Sequence, residues 1–468
     1  RKSESHARTD ILDLAMKIEA RTNISEVVGN STFGAFQLGL CILCGLCLIM
    51  DGFDVQAMGY VAPAILKEWH VPNAQFGPVF GAGLFGILVG SLLFSMLADK
   101  IGRRPVLIGV TLCFSVLTFL TAQSANVQQM LAIRFVAGMA LGAIMPNAVA
   151  LVGEYSPSKL RVTIMMIVGN GFTAGAAFGG FIAAWLIPRF GWRSVFYFGS
   201  AAPLVIGIIM IFALPESLQF LVLHRKRLEQ ASRWLRRIDP NAPADATQYF
   251  VEEKKRKGVP WIHLFHEGRG IGTIMLWIIN FMNLLNLYFL ASWLPTVANQ
   301  AGYGIRTSVL VGTMEQLAGM IGGFTLGLFV QRWGFVRVLT TCFALGCINI
   351  AMIGRPGLSL TMLFTVVFLA GFGVVGGQTA VNALSATFYP TDLRATGIGA
   401  GLGIGRIGAI IGPVVGGVLM SQHLPSEKLF YVAAVPAFVS AVVMLGMHWV
   451  LKAQAIRNAP AIPAGQNL

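Results

Sequence analysis

Ser95-Met96-Leu97-Ala98-Asp99-Lys100-Ile101-Gly102-Arg103-Arg104-Pro105 is a short polar hinge between two apolar runs, and the chain carries a second, degraded copy of it. The copy reads Gly327-Leu328-Phe329-Val330-Gln331-Arg332-Trp333-Gly334, so that Asp99 meets Gln331 at an offset of 232 residues. The same offset of 232 carries Met50-Asp51-Gly52-Phe53-Asp54 and Pro63 onto Met282-Asn283-Leu284-Leu285-Asn286 and Pro295. Gly138, Pro157, Leu160 and Arg161 meet Gly371, Pro390, Leu393 and Arg394 at 233. Three segments agreeing on nearly one offset indicate a duplicated unit.

Around these hinges lie twelve apolar runs, each near the roughly 20 residues that a helix needs to cross a bilayer. They fall near 36–62, 76–98, 105–122, 128–152, 162–187 and 194–214, then 270–296, 308–331, 335–354, 359–386, 395–419 and 429–451. The expected organisation is a cytoplasmic N-terminal segment (1–35), a six-helix bundle (36–214), a cytoplasmic linker with amphipathic helices (215–269), a second six-helix bundle (270–451) and a cytoplasmic tail (452–468). The fold class is therefore all-α and polytopic. Parallel repeats of this kind place a substrate site between the halves, near the membrane midplane.

Composition agrees. Of 468 residues, 55% are apolar and 12% charged, about half the charge of a soluble domain. This excludes an ordinary cytosolic enzyme, and disorder as well. The net charge of +14 would suggest nucleic acid in a soluble protein, but here it sorts by side. Placing both termini and the linker on one side gives that side 26 of the 34 Lys and Arg, against six on the other, with Arg134 and Arg406 inside spans. Basic loops stay cytoplasmic, so both termini are expected inside, with the lipid bilayer and not nucleic acid as the partner. The chain opens on Arg1, so its own start is expected upstream, and residues 1–33 lack a signal-peptide pattern. All six cysteines sit in apolar runs, where they read as small buried residues. No metal and no cofactor is expected: there is no ligand spacing, no Walker loop and no acyl-transfer constellation.

Asp51 and Asp54 stand three residues apart on one face of span 1. Acids inside a membrane are expensive and face a cavity, a partner or a proton path. Because burial disfavours their charged form, they suit reversible protonation. Arg134 in span 4 is the expected partner in the same half, and a static ion pair joining spans 1 and 4 is the alternative. Glu315 in span 8 is a further buried acid that serves coupling or pairs with Arg306. A small organic anion held between the halves would need a cation and apolar walls. Arg134 and Arg406 supply cations, Asn283, Asn286, Tyr288 and Gln378 polar contacts, and Phe53 and Trp293 rings. At the hinge, Gly102 permits the turn, and Asp99 can accept hydrogen bonds from Arg or a facing helix. Arg103 and Arg104 either join such a latch or only hold the loop inside. Glu154, Arg161 and Arg394 read either as further latch members or as charges that only snorkel to the membrane interface.

The hinge after span 2 resembles the signature of the major facilitator superfamily, with Ser95 in place of its first glycine. Gln331 replaces the acid in the second copy. The string Asp51-Gly52-Phe53-Asp54, continued by Ala57, Gly59, Pro63 and Leu66, resembles the span-1 motif of the aromatic acid:proton symporter branch. The run Asn280 to Leu290 with Trp293-Leu294-Pro295 resembles its span 7. That branch carries 4-hydroxybenzoate-, protocatechuate- and benzoate-type acids into bacteria. The resemblance implies proton coupling at Asp51 and Asp54, and essential charges at Asp99, Arg134, Glu154, Arg394 and Arg406. It also implies a monomer in the bacterial inner membrane, importing its substrate with protons for aromatic catabolism, and not an enzyme. A facilitator for another organic anion or a sugar-like solute is the alternative, supported by Pro215-Glu216-Ser217-Leu218-Gln219-Phe220-Leu221. A ligand-binding membrane sensor is a third reading.

Overall fold

The chain is described by a computed structural model covering residues 22–224, 227–240, 249–250, 260–266, 268–355, 357–390, 393–422 and 425–457. Residues 1–21 of the N-terminal segment, the Lys254–Lys257 run of the linker and residues 458–468 of the tail lie outside the described residues.

Twelve helices are long and apolar enough to cross a membrane. Spans 1 to 6 are Ala35–Trp69, Asn73–Ile101, Arg103–Ala122, Val127–Tyr155, Arg161–Phe190 and Arg193–Ala213. Spans 7 to 12 are Gly270–Gln300, Ile305–Trp333, Phe335–Ile353, Leu360–Phe388, Thr396–Ser421 and Glu427–Lys452. Their ends follow local chemistry that also repeats. Gly102 (φ 104°) and Gly334 (φ 80°) turn the chain sharply between spans 2 and 3 and between spans 8 and 9, in a region that side chains disfavour. Asn126 caps span 4 by accepting the Gln129 N–H at 2.9 Å, and Ser359, 233 residues on, caps span 10 by accepting from Met362 at 3.3 Å.

Two spans are interrupted. Span 5 breaks at Asn170 between Gly169 and Gly171, and span 10 contains a π-turn over Phe372–Gly376. Within each bundle small residues let helices touch backbone to backbone. A Cβ on Gly142 of span 4 would overlap the Ile87 carbonyl of span 2.

Call the end of the molecule that carries the chain termini and the linker the terminal end, and the opposite end distal. The main contacts between the bundles are span 2 with span 11, span 5 with span 8, and span 1 with span 7. They lie in the distal halves. A Cβ on Gly77 would stand 3.1 Å from the Pro413 carbonyl, and one on Gly59 would overlap the Ala291 carbonyl. Gln56 of span 1 donates to that same Ala291 carbonyl at 2.8 Å. At the terminal end, the short helix Ile24–Asn30 is tied to the first bundle by the Ser158 N–H, which donates to the Gly29 carbonyl at 2.9 Å. The linker helix Leu228–Ile238 buries Ala231 and Leu235 and stacks Trp234 on Phe36.

Candidate functional site

Span 1 brings both of its acids into the interior. Asp54 is fully buried, and Arg134 of span 4 grips its two oxygens at 3.0 Å through Nη1 and 2.7 Å through Nη2. The Thr118 hydroxyl of span 3 donates to the same carboxylate at 3.3 Å. Such two-pronged charge-assisted contacts are the strong ones, and they fix geometry as well as charge. The pair that the sequence suggested is thus present, linking spans 1 and 4.

Asp51, one helical turn away, is also buried but faces the other bundle. It lies within electrostatic range of Arg406 on span 11, and Arg406 in turn reaches the Tyr288 hydroxyl of span 7. Acid, guanidinium and phenol are therefore within electrostatic reach of one another where the halves adjoin. A cavity of about 20 Å³ reaches Tyr288 but neither Asp51 nor Arg406, and is lined by Gln56, Arg134, Tyr288 and Ser292 with apolar walls from span 2. It has room for about one water.

The second bundle contributes a chain of amides. Asn283 donates to the Val374 carbonyl in the π-turn at 3.0 Å and to Gln378 Oε1 at 2.9 Å. Gln378 donates onward to Asn280 at 2.9 Å and to Asn382 at 3.1 Å. Asn286 and Glu315 are both buried, with no hydrogen-bond partner among the described residues for either carboxyl oxygen or either amide atom. Arg306, a possible partner for Glu315 on sequence grounds, is exposed in the first turn of span 8.

The two ring residues sit differently from a binding wall. Phe53 packs on Phe198 and against Gly179 and Gly199, inside the first bundle. Trp293 is fully buried, donates to the Pro413 carbonyl at 2.7 Å and meets Phe80 edge to face. It belongs to the distal seam.

At the hinge, the acid that engages the turn is Glu216. Its Oε1 accepts the N–H groups of Arg103 at 2.8 Å, Arg104 at 3.1 Å and Ser217 at 2.8 Å. A carboxylate at the first turn of a helix satisfies orphan donors and the helix dipole together. Glu154 pairs with Arg103 and accepts from the Ser217 hydroxyl at 2.6 Å. Arg104 donates to the Ile211 carbonyl and Arg161 to the Ser156 carbonyl. Asp99 was expected to accept such bonds. In this state it is exposed and without a hydrogen-bond or ion-pair partner among the described residues, because Gly102 aims the first amides of span 3 at the exit of span 6. Arg394 is exposed too.

A profile described as Major Facilitator Superfamily matches residues 44–400 and 276–467. The chain belongs to that superfamily. It is 35% identical to the gallate transporter of Pseudomonas putida over 444 residues, 95% of this chain and 99% of that protein. It is 34% identical to the 4-hydroxybenzoate transporter PcaK of Pseudomonas aeruginosa, over 91% of this chain and 95% of that one. Among solved structures, the xylose transporter XylE from E. coli, partially occluded and inward open, aligns with a TM-score of 0.69 at 14% identity, over 93% of this chain and 100% of that one. The last likeness concerns the fold. The protein is a multi-pass membrane transporter and not an enzyme.

In this facilitator-superfamily transporter, sequence reasoning missed Gln56, Glu216 and Asn382 as site residues. Gln56 had a signal, an amide two residues past Asp54 in an apolar run. Glu216 was quoted within its segment, but nothing in the sequence aims it at a loop more than a hundred residues earlier.

Proposed function

We propose that this transporter imports a small aromatic carboxylate of the benzoate or hydroxybenzoate type together with protons, by alternating access. The observation that carries the reading is the placement of Asp51 and Arg406 on opposite bundles within range of each other. An ionised Asp51 offsets the charge of the guanidinium at a distance, without a direct bond; once it is protonated, that balance is left to the carboxylate of a ligand, which Arg406 can grip with two bonds. Proton and substrate binding are linked because they share one cation. Gallate and 4-hydroxybenzoate, named for the relatives, are acids of this shape. Arg134 and Tyr288 line the cavity, and the amides of Asn283 and Gln378 become donors for ring hydroxyls by giving up the bonds they make to Val374, to each other, and to Asn280 and Asn382. Asn286 belongs to the same polar set.

The basic terminal end is assigned to the cytoplasm of a bacterial inner membrane. The closed distal seam, with Asp99 and Arg394 unengaged, then corresponds to the cytoplasm-facing side of the cycle. The transporter is taken to act as a monomer, since each bundle pair encloses one complete site. The test is uptake of radiolabelled 4-hydroxybenzoate into proteoliposomes with and without an imposed pH gradient. Accumulation only with the gradient supports symport; equilibration regardless of the gradient leaves a facilitator.

A further inference from the structure

The halves of this protein repeat contact by contact. In the first bundle a Cβ on Gly90 would overlap the Met139 carbonyl, and one on Gly138 the Gly83 carbonyl. In the second, Gly322 meets the Phe372 carbonyl at 3.1 Å, and Gly371 meets the Glu315 carbonyl. These pairs map onto each other at offsets of 232 for spans 2 and 8 and 233 for spans 4 and 10. In that register Asp54 corresponds to Asn286, Arg134 to Val367 and Gly83 to Glu315.

Gly83 backs onto the Arg134 guanidinium: a Cβ there would lie 4.0 Å from its Nε and Nη2. Its counterpart carries a full acidic side chain, opposite only the buried Val367. By this register the Glu315 side chain corresponds to the volume that the guanidinium fills in the first bundle, and Asn286 to the position of Asp54, with no hydrogen bond between Glu315 and Asn286 in this state. Both side chains are fully or nearly fully buried and neither has a hydrogen-bond partner among the described residues. The titratable group facing Glu315 is Tyr60 of span 1, whose hydroxyl donates to the Ala176 carbonyl at 2.9 Å. No charged side chain faces it from spans 5, 7 or 10 among the described residues.

We propose that Glu315 and Asn286 form a second proton-binding site, in which a mobile proton takes the place of the fixed guanidinium of the first bundle. An ionised carboxylate left unpaired in such a place is very costly. A proton taken from water onto one carboxyl oxygen removes the charge, and the new O–H donates to Asn286 Oδ1. The distal seam closes over the site: Thr313 and Tyr60 meet Gly180, and Pro295 meets Gly312. Opening the seam is what exposes the acid to the outer medium. This inference rests on the symport reading above.

The experiment is the limiting accumulation of 4-hydroxybenzoate in proteoliposomes under a one-unit pH gradient, beside counterflow, which needs no net proton movement. Each coupled proton multiplies accumulation by about tenfold per pH unit. Glu315→Gln is expected to accumulate about tenfold less than wild type with counterflow retained; equal accumulation overturns the site. Failure of the wild type itself to respond to the gradient would instead defeat the symport reading. If Glu315→Gln does not fold, Asn286→Leu is read by infrared spectroscopy at neutral pH. A protonated-carboxyl C=O band that moves in this variant supports the shared proton, and an unmoved or absent band overturns it.

Discussion

Arg134 holds both oxygens of Asp54 at 3.0 and 2.7 Å inside the first bundle, while Asp51, one turn away, looks across to the second. The two acids of one short motif therefore do different work. Asp54→Asn should strand a buried guanidinium and cost about 3–5 kcal/mol, measured as a lowered unfolding temperature in detergent. The double change Asp54→Asn with Arg134→Gln should recover most of that loss.

Asp51→Asn should leave the stability within about 1 kcal/mol of wild type, since it removes no direct ion pair. It should also abolish uphill uptake while sparing exchange of labelled for unlabelled acid. Full pH-driven accumulation in Asp51→Asn would take this residue out of the coupling mechanism.

Arg406→Lys should weaken carboxylate binding by about tenfold or more, because a lysine cannot reproduce a two-pronged grip. Neutral amide analogues of the substrate should bind poorly to wild type. Isothermal titration on solubilised protein measures both, and unchanged affinity in the variant would show that the guanidinium does not hold the ligand.

Removing the acid at the hinge should be felt in stability. Glu216→Ala takes the acceptor from three N–H groups, at a cost of about 1–2 kcal/mol. Asp99→Asn removes no bond in this state and should be neutral to unfolding. Its effect is expected on the balance of states, seen as altered cysteine labelling from the two membrane faces. Labelling identical to wild type would leave Asp99 with no role in switching.

Much of this architecture can be read before any coordinates. Intramembrane charges are so few that Asp54 could find its partner in Arg134 by elimination, and the spans announce themselves by length. Facing directions are harder. The spans are apolar nearly all round, so periodicity does not say that Phe53 turns towards span 6 or that Trp293 plugs the distal seam. The interruptions at Asn170 and Phe372–Gly376 arise where glycines cluster, yet most glycine clusters here sit in unbroken helix. Glu216 escaped notice because its contact depends on the turn at Gly102, a tertiary fact.

The distal seam gives a mechanical test. A Cβ on Gly59 would overlap the Ala291 carbonyl, so Gly59→Val should hold the distal halves apart. Crosslinking between cysteines placed on spans 2 and 11 should fall, and uptake with it. Retained crosslinking at the wild-type rate would mean that the seam is not the gate.

The separation of Asp51 from Arg406 has an electrical consequence. Moving one charge through 100 mV of membrane potential involves about 2.3 kcal/mol. In the empty carrier the acid and the guanidinium cancel each other, and in the loaded carrier the protonated acid is neutral while the ligand anion cancels the guanidinium. The Arg134–Asp54 pair cancels throughout. If coupling runs through this pair as proposed, both crossings are silent to voltage, and uptake through it follows the pH gradient alone. Any current that accompanies uptake must then be carried elsewhere in the protein, and Glu315 is the acid placed to carry it.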